Sequence, residues 1–150
     1  IDVSLVGSEM CIRDRVISWR IAIKPGRPFI CAKLGTKYVF GLPGNPVAAF
    51  ICAIIILRPA LGRIGGENPL VKPFSFKIKA NFMKYKRSGR TEFLRAKFNQ
   101  ENGFVSIYPF EGSGRLSSLS WSDGLIELPE GEQNIEKGDL VDFIPYEVFF

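Results

Sequence analysis

Phe74, Phe76, Ile78, Ala80 and Phe82 alternate with Ser75, Lys77, Lys79 and Asn81. A period of two sends successive side chains to opposite faces, so the stretch predicts a strand with one apolar and one wet face. Leu94, Ala96 and Phe98 repeat the pattern against Arg95, Lys97 and Asn99. Between the two, residues 86–90 read Lys-Arg-Ser-Gly-Arg, a basic turn. Asn102-Gly103 signals a hairpin into a strand over 104–109. Further on, residues 116–123 predict a helical turn ending at Gly124. Residues 125–128 then predict a short strand, and a turn over 135–139 leads into a last strand over 140–146. Several short strands between regular turns predict a small all-β barrel or sandwich over 73–148.

Upstream the pattern is different. Residues 16–23, rich in β-branched side chains, predict one strand that ends at Lys24-Pro25-Gly26-Arg27-Pro28. On a regular strand Arg20 and Lys24 would share a face just before a glycine turn, where two cations can hold an oxyanion; taken alone, a solvated strand end is the better explanation of them. Residues 29–34 and 37–42 predict a hairpin turned by Gly35-Thr36. The second strand runs into Gly41-Leu42-Pro43-Gly44-Asn45-Pro46. Pro43-Gly44 supplies a turn, Asn45 an N-cap and Pro46 a first helical position. The run 47–57 is apolar nearly all round, which predicts a buried helix, kinked or restarted at Pro59 and ended by Gly65-Gly66. The first-turn N–H groups of such a helix are expected to face an anion, or simply to complete a strand-to-helix junction. This half predicts the end of an α/β layer over 16–66, joined by a Pro-containing linker over 67–72 to the barrel.

Residues 1–15 show no sustained period or cap. They resemble a translated sequencing-adapter tail and are set aside as non-native.

Composition narrows the chemistry. There is no histidine, which removes Ser-His-Asp and Cys-His nucleophile systems and imidazole ligands from the chain. Three cysteines without a CxxC pattern suggest neither a disulfide framework nor a zinc site, and favour a reducing, cytoplasmic setting. The apolar run 47–57 is too short to span a bilayer. The net charge of +5 is unevenly spread: 72–97 holds nine Lys/Arg and one acid, Glu92, whereas 123–150 holds eight acids and one base. A basic block suits an anionic partner, although basic and acidic strands of one barrel also pair across a sheet. In 111–115, Glu-Gly-Ser-Gly-Arg, paired glycines let backbone N–H groups approach an anion, as they also do in ordinary loops.

Taken together, Ile23-Lys-Pro-Gly-Arg-Pro28, Phe40-Gly-Leu-Pro-Gly-Asn-Pro46, Gly89-Arg-Thr-Glu-Phe-Leu-Arg95, Gly112-Ser-Gly114 and Gly138-Asp139 resemble, in order and spacing, the C-terminal part of the molybdopterin molybdenumtransferase family, which includes bacterial MoeA and the E domain of gephyrin. The resemblance covers residues 19–146. It implies that 16–66 end a molybdopterin-binding α/β domain and that 73–148 form the family's C-terminal β-barrel. It implies insertion of molybdate into adenylylated molybdopterin with release of AMP, Mg²⁺ as cation, and a homodimer with its cleft near the subunit interface. Lys24 matches a lysine that handles molybdate and substrate, and Arg20 stands where bacterial members carry a second lysine. Both are the catalytic candidates. Gly26, Arg27, Pro43, Gly44, Asn45, Pro46, Arg90, Arg95 and Ser113 are the substrate-binding candidates. No metal ligand is assigned, because the family's metal contacts fall largely upstream of the matched region. The chain is then expected to be a C-terminal piece without turnover of its own. Two other readings remain open: a small anion- or nucleic-acid-binding barrel, and an assembly scaffold without catalysis. Against nucleic acid, the Phe residues of 74–82 lie opposite the lysines, as core residues would.

Overall fold

The computed structural model describes residues 16–67, 72–110 and 116–150. The four N-terminal strands are β1 (Val16–Ser18), β2 (Ile23–Lys24), β3 (Ile30–Leu34) and β4 (Lys37–Gly41). β1, β3 and β4 form a small antiparallel sheet. The β3–β4 hairpin closes at Leu34 opposite Lys37, and Gly35 takes the positive φ that its two-residue turn needs.

The single strand expected over 16–23 is instead two. The chain leaves the small sheet after Ser18 and rejoins hydrogen bonding at Ile23, beside a different partner. Propensity could not anticipate this, because the break marks a change of sheet and not of composition.

Helix α1 spans Pro46–Ile64. Its central turn, Ala53–Leu57, is a π-helix, with the Arg58 N–H bonded back to the Ala53 carbonyl. Pro59 follows at once. A proline lacks an N–H and crowds the carbonyl four residues before it, and the widened turn absorbs both defects without ending the helix. Among the described residues α1 is long and apolar enough to cross a membrane, which the run 47–57 alone did not indicate. It lays one face on the barrel, with Val47, Ala48, Ile51, Cys52 and Ile54 buried, while Leu61 and Ile64 stay about half exposed. The all-round burial expected from its composition is therefore absent.

The second half contains β5 (Phe76–Ala80), β6 (Lys84–Lys86), β7 (Thr91–Asn99), β8 (Phe104–Ile107), the short helix α2 (Ser117–Trp121), β9 (Gly124–Leu128), β10 (Gln133–Ile135) and β11 (Leu140–Pro145). Strands β7, β8, β5, β11 and β9 pair in that order, and β9 pairs back onto β7. Five strands thus close a barrel, which leaves no open sheet edge between them. β6 and β10 form a separate two-stranded ribbon. Ile78, Ala80, Ala96, Val105, Ile126, Leu128, Val141 and Phe143 fill the interior, as the alternation required. The Asn102-Gly103 signal holds, within a loop that Asn99 and Asn102 brace by accepting backbone N–H bonds.

Two contacts tie the halves together. β2 adds to β7 in parallel, Ile23 opposite Thr91 and Lys24 opposite Glu92. On the outside of the barrel, Val47, Ile51 and Ile54 of α1 pack with Phe93, Leu125, Ile144 and Phe149. Burying each such aliphatic side chain contributes about 1.5–3 kcal/mol. Of the expected linker only Glu67 and Lys72 fall among the described residues.

Candidate functional site

The seam where β2 meets the barrel holds the cleft. Lys24 ends β2, and its Nζ lies 3.1 Å from Glu92 Oε1 on β7. Lys24 is about half exposed and Glu92 only 14% exposed, so the carboxylate is the more enclosed partner. Next in the chain, Gly26 has φ +124° and lies against α1. A Cβ there would sit 2.6 Å from Cys52 Sγ and 2.9 Å from Ile23 Cδ1, so the position is glycine for both space and backbone. The Cys52 thiol donates weakly to the Gly26 carbonyl at 3.6 Å, and burial pushes its pKa up to about 11. Cys52 is therefore a packed, inert thiol under the loop that carries Lys24.

The cleft has two connected compartments. One, about 170 Å³, has Lys24, Lys84, Glu92 and Arg95 as its charged lining, against walls that include Pro25, Tyr108 and Phe110. The other, about 350 Å³, is lined by Arg87, Ser88 and Arg90. Lys24, Lys84 and Glu92 belong to both.

Arg95 departs from expectation. The alternation placed it on a wet face, yet it is 8% exposed. It points outward from the barrel, but α2 and Tyr146, just after β11, lie over that part of β7. Burial lowers its pKa from the ordinary arginine value, and the neighbouring Tyr146 and Tyr108 work in the opposite sense. A guanidinium starts so high that it stays charged. Tyr146 is itself pushed up by burial, and its hydroxyl lies 2.8 Å from Ser122 Oγ at the end of α2. Tyr108 holds the other end of α2, its hydroxyl 3.0 Å from Ser117 Oγ. The two tyrosines thus brace α2 beside Arg95.

Lys86, placed by its sequence in a basic turn, is 2% exposed. Its ammonium donates to the carbonyls of Arg87, Glu130 and Gly131 at 3.0–3.3 Å. It fastens the 87–90 turn to the loop before β10, together with the Gly89 N–H bonded to the Glu130 carbonyl. Elsewhere the basic block pairs across the barrel with the acidic one, as Lys77 does with Asp142 at 2.8 Å.

The other expected residues lie apart. Asn45 caps α1, its Oδ1 accepting from the N–H groups of Val47 and Ala48, while the Ala49 N–H goes to the Asn45 carbonyl. Pro46 has no N–H to offer. The outward-facing donors expected at this helix end are therefore already engaged, and Asn45 and Pro46 serve the helix. Pro43 is buried and Gly44 exposed beside them. Arg20 is exposed in the break between β1 and β2, and Arg27 in the turn after Gly26, whose loop the Ile21 N–H closes by bonding the Arg27 carbonyl. Neither lines the cleft. Ser113 lies outside the described residues.

The structure thus brings together Lys24, Arg90 and Arg95 and adds Glu92, Lys84, Tyr108 and Phe110. Glu92 had a signal in the sequence, as the lone acid of the 72–97 block. Tyr108 and Phe110 had none, because nothing local says that the end of β8 returns to the start of β7.

Fold and cleft together define the class: a five-stranded barrel sewn to an α/β segment, with a cation-lined seam between them. Residues 78–146, which make up the barrel, match the family described as the MoeA C-terminal region, domain IV. The chain is 33% identical over 131 residues to the molybdopterin molybdenumtransferase of Haemophilus influenzae, covering 85% of this chain and 32% of that protein. It is 34% identical over 120 residues to the molybdenum cofactor synthesis protein cinnamon of Drosophila melanogaster, covering 79% of this chain and 20% of that one. The crystal structure of the molybdopterin biosynthesis MoeA protein from Pyrococcus horikoshii superposes with a TM-score of 0.74 at 28% identity, over 89% of this chain and 33% of that one. The chain spans about a third of the length of the first of these relatives.

Proposed function

We propose that this chain forms part of a molybdopterin molybdenumtransferase and supplies the cationic side of the site at which molybdate enters adenylylated molybdopterin and AMP leaves. The observation that carries the reading is the convergence of Lys24 and Arg95, from two distant segments, on one cleft. Both substrates are anions. Cations fixed on rigid strands hold them in register and offset the charge that develops as the phosphate departs. No protein nucleophile is needed, in keeping with a chain that has no histidine. Arg95, pre-oriented by burial and by the braced α2, presents a planar fork to an oxyanion, whereas Lys24 acts as a mobile point charge.

Mg²⁺ does not fit the residues described. Among them no group of three or more His, Cys, Asp or Glu could hold a metal ion, and the cleft's carboxylate, Glu92, is engaged by Lys24. No step is assigned to the metal here. A homodimer remains part of the proposal on the strength of the resemblance, and a cytoplasmic setting rests on Cys31 and Cys52 being free thiols.

The test is calorimetric titration of the 150-residue chain with molybdate. Wild type is expected to bind, and Lys24→Ala and Arg95→Ala each to weaken binding by about tenfold or more, as charge-assisted contacts of about 1.5–3 kcal/mol require. Unchanged affinity in both variants refutes the site. The chain alone is expected to release no AMP from adenylylated molybdopterin; steady release would show that it needs nothing further.

A further inference from the structure

The cleft offers more than a small oxyanion can use. Its two compartments share Lys24, Lys84 and Glu92 but differ in the rest of their lining. The one beside the 87–90 turn is completed by Tyr85, Lys86, Arg87, Ser88 and Arg90, a mostly cationic set. The other is completed, apart from Arg95, by Pro25, Phe93, Leu94, Ile107, Tyr108 and Phe110. Molybdate presents only acceptor oxygens and gains nothing from such a wall.

The aromatic part of the wall is held in place. Tyr108 lies edge-on to Phe110, with 5.9 Å between ring centres, and to Trp121 at 5.4 Å. Its hydroxyl is fixed 3.0 Å from Ser117 Oγ. Edge-to-face contacts of this kind give rings a preferred orientation. The row runs from Trp121 in α2 through Tyr108 and ends at the cleft, where Phe110 is still 53% exposed. A single exposed Phe is ordinary on an open surface. On a braced support at a cation-lined cleft, it is apolar area that a ligand can cover.

We propose that Phe110 and Tyr108 form a stacking wall for the planar heteroaromatic ring of a phosphate ester, whose anionic end lies among the cations of the connected compartment. Ligand sites commonly join an apolar, aromatic wall to a few placed charges in this way. Stacking on an aromatic side chain uses the π-face that every such ring has, so it requires no particular hydrogen-bonding edge. Adenylylated molybdopterin carries two rings of this chemistry, the nucleobase and the pterin. The inference rests on the reading of this cleft as the site of that anionic substrate. The cations hold its phosphate, and the wall fixes which way the molecule lies.

The experiment titrates the 150-residue chain with AMP and with ribose 5-phosphate at matched ionic strength. The two share the sugar and the phosphate and differ in the ring. Wild type is expected to bind AMP about fivefold or more tightly, the low end of what an aromatic side chain contributes beneath a base. Phe110→Ala is expected to bring the ratio close to one by weakening AMP. Phe110→Trp, which restores a ring, is expected to restore the preference and excludes a merely structural loss. Neopterin, a pterin without phosphate, separates the two sources. Displacement of AMP by neopterin assigns the wall to the pterin, and failure to displace it assigns the wall to the nucleobase. A ratio near one in wild type, or an unchanged ratio in Phe110→Ala, overturns the wall and leaves the cation site standing. Failure of wild type to bind molybdate, AMP or ribose 5-phosphate overturns both.

Discussion

The barrel interior and the seam outside it are lined by the same strands, yet they bury different chemistry. Leu94, Ala96, Ile126, Leu128, Val141 and Phe143 point inward and pack in one apolar cluster. Phe93, Arg95, Leu125 and Ile144 are the alternate residues of those strands, pointing outward; α1 covers Phe93, Leu125 and Ile144, while Arg95 lies beside Tyr146 and Tyr108. Arg95, Ser118 and Ser122, all buried, belong to this outer side, and Tyr146 packs against its apolar cluster, edge-on to Phe50. The interior holds the shape. The seam accepts the cost of buried polar groups in exchange for a fixed guanidinium beside an open cleft. Function sits where a second layer covers the barrel.

The largest way to sharpen this contrast is a cavity on each side of one wall. Phe143→Ala in the interior is expected to lower unfolding free energy by about 3–5 kcal/mol, and Ile51→Ala in the seam by about 2–5 kcal/mol, both by urea denaturation. If the division of labour is right, the folded fraction of Phe143→Ala binds molybdate as wild type does. Ile51→Ala binds it more weakly, because the helix that supports the Lys24 loop has loosened. Equal affinities in the two would erase the distinction.

The interior was readable in advance and most of the seam was not, for a physical reason. Alternation over 74–82 and 94–98 tells which side chains share a face. It says nothing of what covers that face, so it sets Ala96 in the interior but leaves Arg95 in water, where the structure buries it. The Asn45-Pro46 cap and the Gly35 turn are set by two or three neighbouring residues, and both formed as expected. Closure of the barrel by β9 on β7, and the transfer of β2 from the small sheet to β7, depend on pairs some thirty to seventy residues apart. No local pattern carries those. Lys24 was singled out by its motif, but its partner Glu92 became visible only through the ladder that sets the two side by side.

Alkaline pH probes the packing beneath the Lys24 loop. The folded pKa of Cys52, about 11, is raised above its ordinary value of 9.0 by burial. A raised pKa means that the unfolded chain loses this proton first. The contribution is therefore complete below about pH 9 and is lost as pH rises toward 11, by up to about 2–3 kcal/mol. Cys52→Ala should flatten that part of the stability profile. An alkaline slope identical to wild type would show that the thiol ionises without disturbing the seam.

Lys86 tests whether the basic turn is held from inside. Lys86→Met keeps the stem and removes the ammonium from three carbonyls. The expected loss is about 1–3 kcal/mol in thermal or urea unfolding, from acceptors left without a donor. Because Arg87 and Arg90 ride on that turn, anion affinity should fall as well. A stability loss with affinity intact would make Lys86 a fastener for the ribbon alone.

The smallest effect on stability falls on the residue expected to matter most for binding. Lys24 is half exposed and its partner is replaceable by water, so Lys24→Ala should change unfolding free energy by less than about 1 kcal/mol, and less again at high salt. The same substitution should weaken molybdate binding by tenfold or more. A side chain that contributes little to the fold, and is yet held on a two-residue strand over a glycine admitting no other residue, is placed for a ligand. If Lys24→Ala instead destabilises the chain as much as Ile51→Ala does, Lys24 belongs to the architecture of the seam, and the cleft must draw its specificity from Arg95 and the 87–90 turn.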